Sequence, residues 1–227
     1  FIKNPNSTVE MQNGQTIHFY PTNKIRIPID KNVIIKNKVV SSKYNDSIVP
    51  YIDLDIKGNA LYKNRLMMLD ILANNNWKRP IYFSPGAFED EDYLWMKNYL
   101  QLEGMIYKLV PIQTKIDKDT NPMDMGGLDA DKMYSIVMKW DWGNSDGDIY
   151  HDPETRKNSI SYRSVLSRLM DKLIAEGKLD KAKNVINLAI TKMPLEKFGY
   201  YSMVEPFARG YYEVGEKAKA QELLVKL

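Results

Sequence analysis

The chain has 227 residues, of which 44% are hydrophobic and 27% charged, with a formal net charge of +3. These values are typical of a folded globular chain, and the weak charge gives no basis for a nucleic-acid partner. The sequence has no cysteine, which excludes disulfides, Cys-ligated zinc and a Cys nucleophile. With only His18 and His151, a His-rich metal site is also excluded. No segment reaches the about 20 apolar residues that cross a bilayer.

The first part of the chain predicts strands and turns. Asn13-Gly14 is a hairpin turn signal between two short strand-like runs. Pro28 indicates that its strand lies at a sheet edge or ends there, because proline lacks the N–H that a ladder needs. The predicted strands of this part are residues 9–11, 16–20, 24–29 and 51–56.

The middle of the chain alternates helices and strands. We predict helices at 61–73, 90–102 and 129–139, and strands at 81–84 and 105–112. The first helix has too many apolar residues for one narrow stripe, so we expect it to be well buried. Asp129 lies at the start of the third helix, where a carboxylate favours the helix dipole. The alternation predicts an α/β fold over residues 1–150, a small mixed sheet with flanking helices.

A polar loop at 140–153 marks the predicted domain boundary. Within it, Asn144, Asp146 and Asp148 resemble part of a calcium loop. The EF-hand spacing fails, because Gly147 precedes the third acidic position instead of following it. A solvated turn is the alternative interpretation. We predict no metal and no cofactor. These three residues are the weak candidate ligands, to which Asp141, Asp152 and Glu154 could add oxygens.

Residues 151–227 predict an all-α region of TPR-like helical hairpins. Gly177 and Gly215 are 38 positions apart, compared with about 34 in a standard repeat, so residues 195–200 should lengthen the turn. Two repeats rarely stand alone, so we expect the hairpins to lean on the α/β domain or to continue beyond Leu227. Their groove either binds a peptide or only braces the first domain. The residues at repeat spacing are Leu166, Leu169, Leu173, Gly177, Ala182, Ile186, Ala189 and Pro194, then Val204, Phe207, Tyr211, Gly215, Ala220 and Leu224.

The segment from Trp77 to Phe83 is the most unusual one, and its candidate ligand-binding residues are Trp77, Lys78, Arg79 and Tyr82. The two cations lie next to a strand end, where α/β folds tend to bind anions. The alternative is structural: Trp77 caps the preceding helix and Arg79 pairs with a carboxylate such as Asp70. We predict no catalytic residue, because the common nucleophile and phosphate-binding motifs are absent.

Three segments, 24–31, 67–83 and 99–111, carry a family resemblance. Together they resemble the soluble C-terminal region of a bacterial family of polytopic membrane proteins of unknown function. The membrane part of that family is similar to protein O-mannosyltransferases, and its C-terminus carries TPR-like repeats. The resemblance implies a glycosyltransferase that uses a lipid-linked sugar, with this portion on the periplasmic side of the inner membrane. The expected catalytic acids of the family lie in the membrane part, so none transfers to this sequence.

Our first hypothesis is a non-catalytic extracytoplasmic accessory domain of a membrane-embedded glycosyltransferase. Its partners would be the membrane-embedded part of the same chain and a protein or peptide acceptor. Because the sequence begins at Phe1, we expect it to be a fragment of a longer protein. The alternatives are a stand-alone sugar- or phosphate-processing enzyme that uses Lys78 and Arg79, and a purely structural protein-interaction module.

Overall fold

The computed structural model describes residues 7–20, 22–56, 61–84, 96–115 and 125–227. No helix among these residues is both long and apolar enough to span a bilayer. The 3₁₀ turns Ser42–Ser47 and Tyr201–Met203 accompany the regular elements. The regular elements in chain order are β1 (Thr8–Glu10), β2 (Thr16–His18), β3 (Lys24–Pro28), α1 (Lys31–Lys36), β4 (Tyr51–Asp55), α2 (Lys63–Asn75), β5 (Tyr82–Phe83), β6 (Leu100–Glu103), β7 (Ile106–Leu109), α3 (Ala130–Val137), α4 (Pro153–Ala175), α5 (Leu179–Lys192), α6 (Leu195–Phe198), α7 (Glu205–Glu213) and α8 (Lys217–Lys226).

The described strands form three small antiparallel sheets, which confirms a mixture of sheet and helix but corrects the single mixed sheet of the prediction. The sheets are β1–β2, β3–β4 and β5–β7–β6. Strands β1–β2 and β6–β7 are joined by turns too short for the crossover that a parallel pair requires. The predicted turn at Asn13-Gly14 does connect β1 to β2, with Val9 opposite Ile17.

The predicted helix at 90–102 is wrong over its last residues. Residues 90–95 lie outside the described part of the chain, whereas Leu100–Glu103 forms strand β6. The residues of β6 alternate apolar and polar, and Gly104 then adopts a φ of +69° in the tight turn to β7. That left-handed conformation suits glycine and closes the hairpin. The alternation of apolar and polar residues in Leu100–Glu103 therefore favours a strand, although the preceding aromatic residues favour a helix.

Helix α2 forms where it is predicted, but the prediction that it is well buried is wrong. None of its residues is buried, and Met67 and Ile71 are 58% and 55% exposed. The apolar residues are distributed around the helix, so only part of them can face the core. Met68, Leu69 and Leu72 pack against the core, while the opposite face lies at the surface.

The predicted helical hairpins are confirmed as α4–α5 and α7–α8. Ala182 and Ala220 are fully buried, as expected for small residues that let helices approach closely. Gly177 follows α4 with a φ of +69°, which ends the helix in a left-handed conformation. Leu224 departs from its predicted core position: it is 46% exposed, and Leu223 is buried instead.

The lengthened turn between the hairpins is held by a buried arginine of α4. Arg163 is almost completely inaccessible and donates from its guanidinium to the carbonyls of Met193 (2.9 Å), Gly199 (2.5 Å) and Tyr200 (3.4 Å). Burial lowers the pKa of Arg163 to about 10, so the group stays charged at neutral pH. Helix α6 and the second 3₁₀ turn occupy the extra length that the 38-residue spacing predicts.

One hydrophobic cluster extends from the strands into both hairpins, from Ile52 to Leu223. The hairpins therefore lean on the sheet region, as predicted. Polar contacts reinforce this packing: Lys43, Lys178 and Lys181 each place Nζ within 3.1 Å of the Asp131 carboxylate. Their ion pairs hold the pKa of Asp131 well below its usual range, with Lys178 the largest cause. The predicted boundary near residue 150 falls in the loop before α4 and stays a prediction.

Candidate functional site

Polar side chains form a row across one face of the β5–β7–β6 sheet. Tyr82 pairs with Lys108, and Lys108 pairs with Gln101, so these residues lie side by side on the three strands. Glu103 lies two residues beyond Gln101 on β6 and therefore points to the same face. The opposite face carries Leu100, Leu102 and Leu109, which belong to the hydrophobic core. The alternation of the strands thus separates an apolar face from a polar one.

This polar face is covered by α1 and the segment that follows it. The Lys108 ammonium donates to the carbonyl oxygen of Val39 at 2.7 Å, which ties the cover to the sheet. Between cover and sheet lies a cavity of about 440 Å³, here called the sheet pocket. Its volume falls within the about 300–1,000 Å³ of small-molecule sites. It is lined by Ile35, Lys38, Val39, Val40, Ser41, Ser42, Asn45, Gln101, Glu103, Lys108 and Lys132.

Glu103 is the centre of the hydrogen bonds at the floor of the sheet pocket. Its carboxylate accepts from the Tyr82 hydroxyl at 2.8 Å and from the Gln101 amide at 3.3 Å. The Lys108 ammonium lies 3.7 Å from the same carboxylate. Burial and the neighbouring Glu103 carboxylate raise the pKa of Tyr82 to about 12. Since Glu103 is held by three neighbours, its carboxylate orders the floor of the pocket rather than standing free for proton transfer.

The charges around the sheet pocket favour an anionic ligand. Lys38, Lys108 and Lys132 line it, against the single carboxylate of Glu103. Ser41, Ser42 and Asn45 add hydrogen-bonding groups at the rim. A cavity with excess positive charge attracts a carboxylate or phosphate group. The arrangement is therefore suited to binding such a group.

Of the residues predicted from the segment at 77–83, Tyr82 alone lines up with the described polar row. Trp77 follows the left-handed cap Asn76 and has a φ of +55°. Its half-buried ring packs against the hydrophobic core and lines a cavity of only about 10 Å³. That cavity is too small for a ligand, so the placement of Trp77 favours the structural interpretation.

Lys78 and Arg79 are exposed, and neither lines the sheet pocket. The backbone of Arg79 exchanges two hydrogen bonds with the Asn75 side chain, at 2.7 and 3.3 Å. Among the described residues, Arg79 forms no ion pair with Asp70, whose carboxylate accepts from Asn74 instead. The local role of Arg79 is therefore to fix the turn after α2 through its main chain.

The candidate metal ligands lie in the loop before α4, and a lysine of α5 forms an ion pair with this loop. Asp146 pairs with Lys192 at 3.0 Å, and this ion pair is the main cause that lowers the pKa of Asp146. Asn144 and Asp148 are exposed in the same loop. Within the described ranges, no group of three or more His, Cys, Asp or Glu side chains is arranged to hold a metal ion. Asp146 is thus held by an ion pair, and the solvated turn and the metal site both stay predictions.

Gln101, Glu103 and Lys108 were not predicted as site residues. A signal existed, because Leu100-Gln101-Leu102-Glu103 alternates and, as a strand, places its two polar residues on one face. The helix predicted over 90–102 assigns a helical period to these residues and does not separate the two faces. The burial of that face depends on the distant segment around Val39, which no local pattern predicts.

The fold and the pocket define a mixed α/β domain with a ligand-sized polar pocket, extended by helical hairpins. Residues 2–132 match the family TMEM260-associated domain 2. Because this match covers more than half of the chain, the chain belongs to that family. The resemblance to a membrane-protein family is confirmed to this extent, and the similarity to protein O-mannosyltransferases stays a prediction. Neither a curated protein nor a solved structure matches the chain.

Proposed function

We propose that this chain is a non-catalytic accessory domain of a membrane-embedded glycosyltransferase, placed on the periplasmic side of the bacterial inner membrane. The observation that carries the proposal is the family membership, since that family is linked to a membrane protein. Segments 24–31, 67–83 and 99–111 add the resemblance to proteins whose membrane part is similar to protein O-mannosyltransferases. In this role the domain positions a protein or peptide acceptor, or stabilises the membrane part.

The sheet pocket supports a binding role. Its buried carboxylate, Glu103, is held by Tyr82, Gln101 and Lys108. The exposed lysines at its rim, Lys38 and Lys132, are the groups that an incoming ligand would meet first. Positive charge at a pocket rim favours an acidic segment of an acceptor. The TPR-like hairpins, in this proposal, act as a brace that holds the sheet region and its pocket in place.

The test is a sugar-transfer assay with the full-length membrane protein, a lipid-linked sugar donor and two acceptors, a folded protein and a short peptide. Deletion of the region is expected to lower transfer to the folded protein several-fold. The variant Lys38→Glu/Lys132→Glu is expected to reduce that transfer as well, because it reverses the charge of the rim. The matched control Lys139→Glu/Lys217→Glu reverses two exposed lysines outside the pocket and should leave transfer unchanged.

Two results would contradict the proposal. Unchanged activity and unchanged acceptor range after deletion would remove both the positioning and the stabilising role. Turnover of glycosides or phosphoesters by the isolated chain, abolished by Arg79→Ala, would instead favour the stand-alone enzyme.

A further inference from the structure

A second cavity, of about 380 Å³, lies where the sheet region meets the hairpins and is here called the aromatic pocket. The loop before α4, the first turns of α4 and the segment from Met193 to Phe198 form its walls. Met105 closes it from the turn between β6 and β7. Like the sheet pocket, this cavity is large enough for a small organic molecule.

Three aromatic side chains border the aromatic pocket. The ring centroids of Trp140, Trp142 and Tyr162 lie 5.5–5.6 Å from one another, at interplanar angles of 53–89°. Because the rings meet at steep angles, they form a corner and not a stack, and each ring lines the cavity. An aromatic face attracts a cation, and that of Trp does so most strongly. The contacts of Lys and Arg with rings among the described residues all involve other rings.

The charge of the aromatic pocket is opposite in sign to that of the sheet pocket. No Lys or Arg occurs among the residues that line it, and Asp141 is their one carboxylate. The backbone N–H of Gly143 donates to the Asp141 carboxylate at 2.8 Å and so orients it. The segment 141–154 contains four Asp and one Glu but no Lys or Arg. The field of this segment therefore favours a cation over an anion.

Lys192 and Lys197, which contact the same loop from the helical region, are both engaged by it. Lys192 pairs with the Asp146 carboxylate at 3.0 Å, and Lys197 donates to the carbonyl oxygens of Asp146 and Gly147. Neither lysine lines the aromatic pocket. The three rings and Asp141 are therefore placed to meet a cation that comes from outside the chain.

The lining also selects the kind of cation. A metal ion such as Ca²⁺ requires about six to eight oxygen ligands, whereas Asp141 is the one carboxylate of the lining. A primary ammonium is strongly hydrated and needs acceptors for three N–H groups, which the carbon surface of a ring does not supply. A quaternary ammonium has no N–H and carries its charge on methyl groups, which pack well against rings and thioethers. Met105 and Met193 add thioether surface to the lining.

We propose that the aromatic pocket binds a quaternary ammonium group, such as that of choline. The methyl groups lie against Trp140, Trp142 and Tyr162, and the Asp141 carboxylate balances the charge. This site is independent of the proposed membrane role and of the sheet pocket, because all of its residues belong to the described part of this chain.

The test is saturation-transfer NMR of the full chain with choline chloride in the millimolar range, at constant ionic strength. The control ligand is dimethylbutanol, in which a carbon atom replaces the N⁺ of choline, so that the shape is kept and the charge is lost. It should bind about tenfold more weakly than choline, because it lacks the attraction to the rings and to Asp141. This comparison needs no substitution, so it decides even if a variant fails to fold.

Two matched pairs of variants locate the site. Tyr162→Leu removes a ring and should weaken choline binding about three- to tenfold, whereas Tyr162→Phe keeps the ring and should bind as the parent does. Asp141→Asn should weaken binding about two- to fivefold, because its exposed carboxylate is partly screened. Asp148→Asn makes the same change at an exposed position outside the lining and should have no effect.

The cation site is contradicted if choline does not bind, or if dimethylbutanol binds as tightly, which would indicate a merely apolar cavity. It is also contradicted if Tyr162→Leu and Asp141→Asn, shown to be folded by circular dichroism, both bind choline like the parent. Adding phosphatidylcholine vesicles distinguishes two sources of the group. Displacement of choline by the vesicles indicates a lipid headgroup and no displacement indicates a free cation, and both results support the site.

Discussion

The sheet region, residues 7–139, and the helical region, residues 153–227, use burial in different ways. In the helical region, most residues at repeat spacing are buried and apolar, such as Leu169 and Phe207. In the sheet region, the buried set includes the charged residues Glu103, Lys108 and Asp129, whereas Arg163 is the charged residue that the helical region buries. Helix α2 has no buried residue. Burying charges is unfavourable unless they are well paired, whereas burying apolar groups stabilises a fold. The comparison indicates that the helical region provides stability and the sheet region provides a site.

The two regions nevertheless share one core. Helix α7 packs on α4 and α5, α4 packs on α3, and α3 packs on strand β6. Because the hydrophobic cluster is continuous along this path, we expect both regions to unfold together. The following variants test that division of roles, in order of decreasing expected effect.

Leu169→Ala should lower the free energy of unfolding by about 2–5 kcal/mol, because it leaves a cavity in the helical core. Leu169 is fully buried on α4. The matched control is Leu224→Ala, since Leu224 is at a repeat position but 46% exposed, and its effect should stay within about 0.5 kcal/mol. Urea unfolding measures both. Equal effects would contradict the packing of α8 described above.

Arg163→Ala should lower the free energy of unfolding by about 2–4 kcal/mol, because buried carbonyls lose a charged donor and a cavity forms. Arg163 holds the connection from Met193 to Tyr200. The control Arg209→Ala removes a half-exposed arginine paired with Asp171 and Glu213, and should cost at most about 1 kcal/mol. A negligible change in the free energy of unfolding for Arg163→Ala would show that the connection from Met193 to Tyr200 is stable without these hydrogen bonds.

Glu103→Gln should lower the free energy of unfolding by about 1–3 kcal/mol, because Lys108 then lies buried beside a neutral group. Adding Lys108→Met should restore part of the loss, since the double variant leaves no unpaired charge. The measurement is a double-mutant cycle by urea unfolding. Additive losses would mean that Glu103 and Lys108, 3.7 Å apart, do not stabilise each other.

Asp131→Asn should lower the free energy of unfolding by less than about 1 kcal/mol at neutral pH, because the carboxylate is partly exposed and screened. The folded pKa of Asp131 lies below its unfolded value. Its contribution is therefore complete above about pH 5 and is lost as the pH falls below about 4. The stability difference between the two proteins, measured from pH 7 to 3, should shrink. A constant difference would contradict the ion pairs with Lys43, Lys178 and Lys181.

The sequence predicts the helical region better than the sheet region, for a physical reason. The repeat positions and Gly177 act through local spacing, so the hairpins follow from the pattern alone. The helix predicted over 90–102 is wrong in strand β6, because an alternation of only four residues is too short to outweigh the preceding aromatic residues. The sheet pocket depends on contacts between Lys108 and Val39, 69 positions apart in the chain, and local patterns do not contain such pairings.

The most direct test of this division of roles is amide hydrogen exchange of β6 and β7 in Phe207→Ala. Phe207 is fully buried on α7, which packs on α4, α5 and α8. If the helical region stabilises the site, the amides of Leu102 and Leu109 should lose protection by the same free energy as those of α4. Unchanged protection in β6 and β7, with loss confined to the hairpins, would contradict the account.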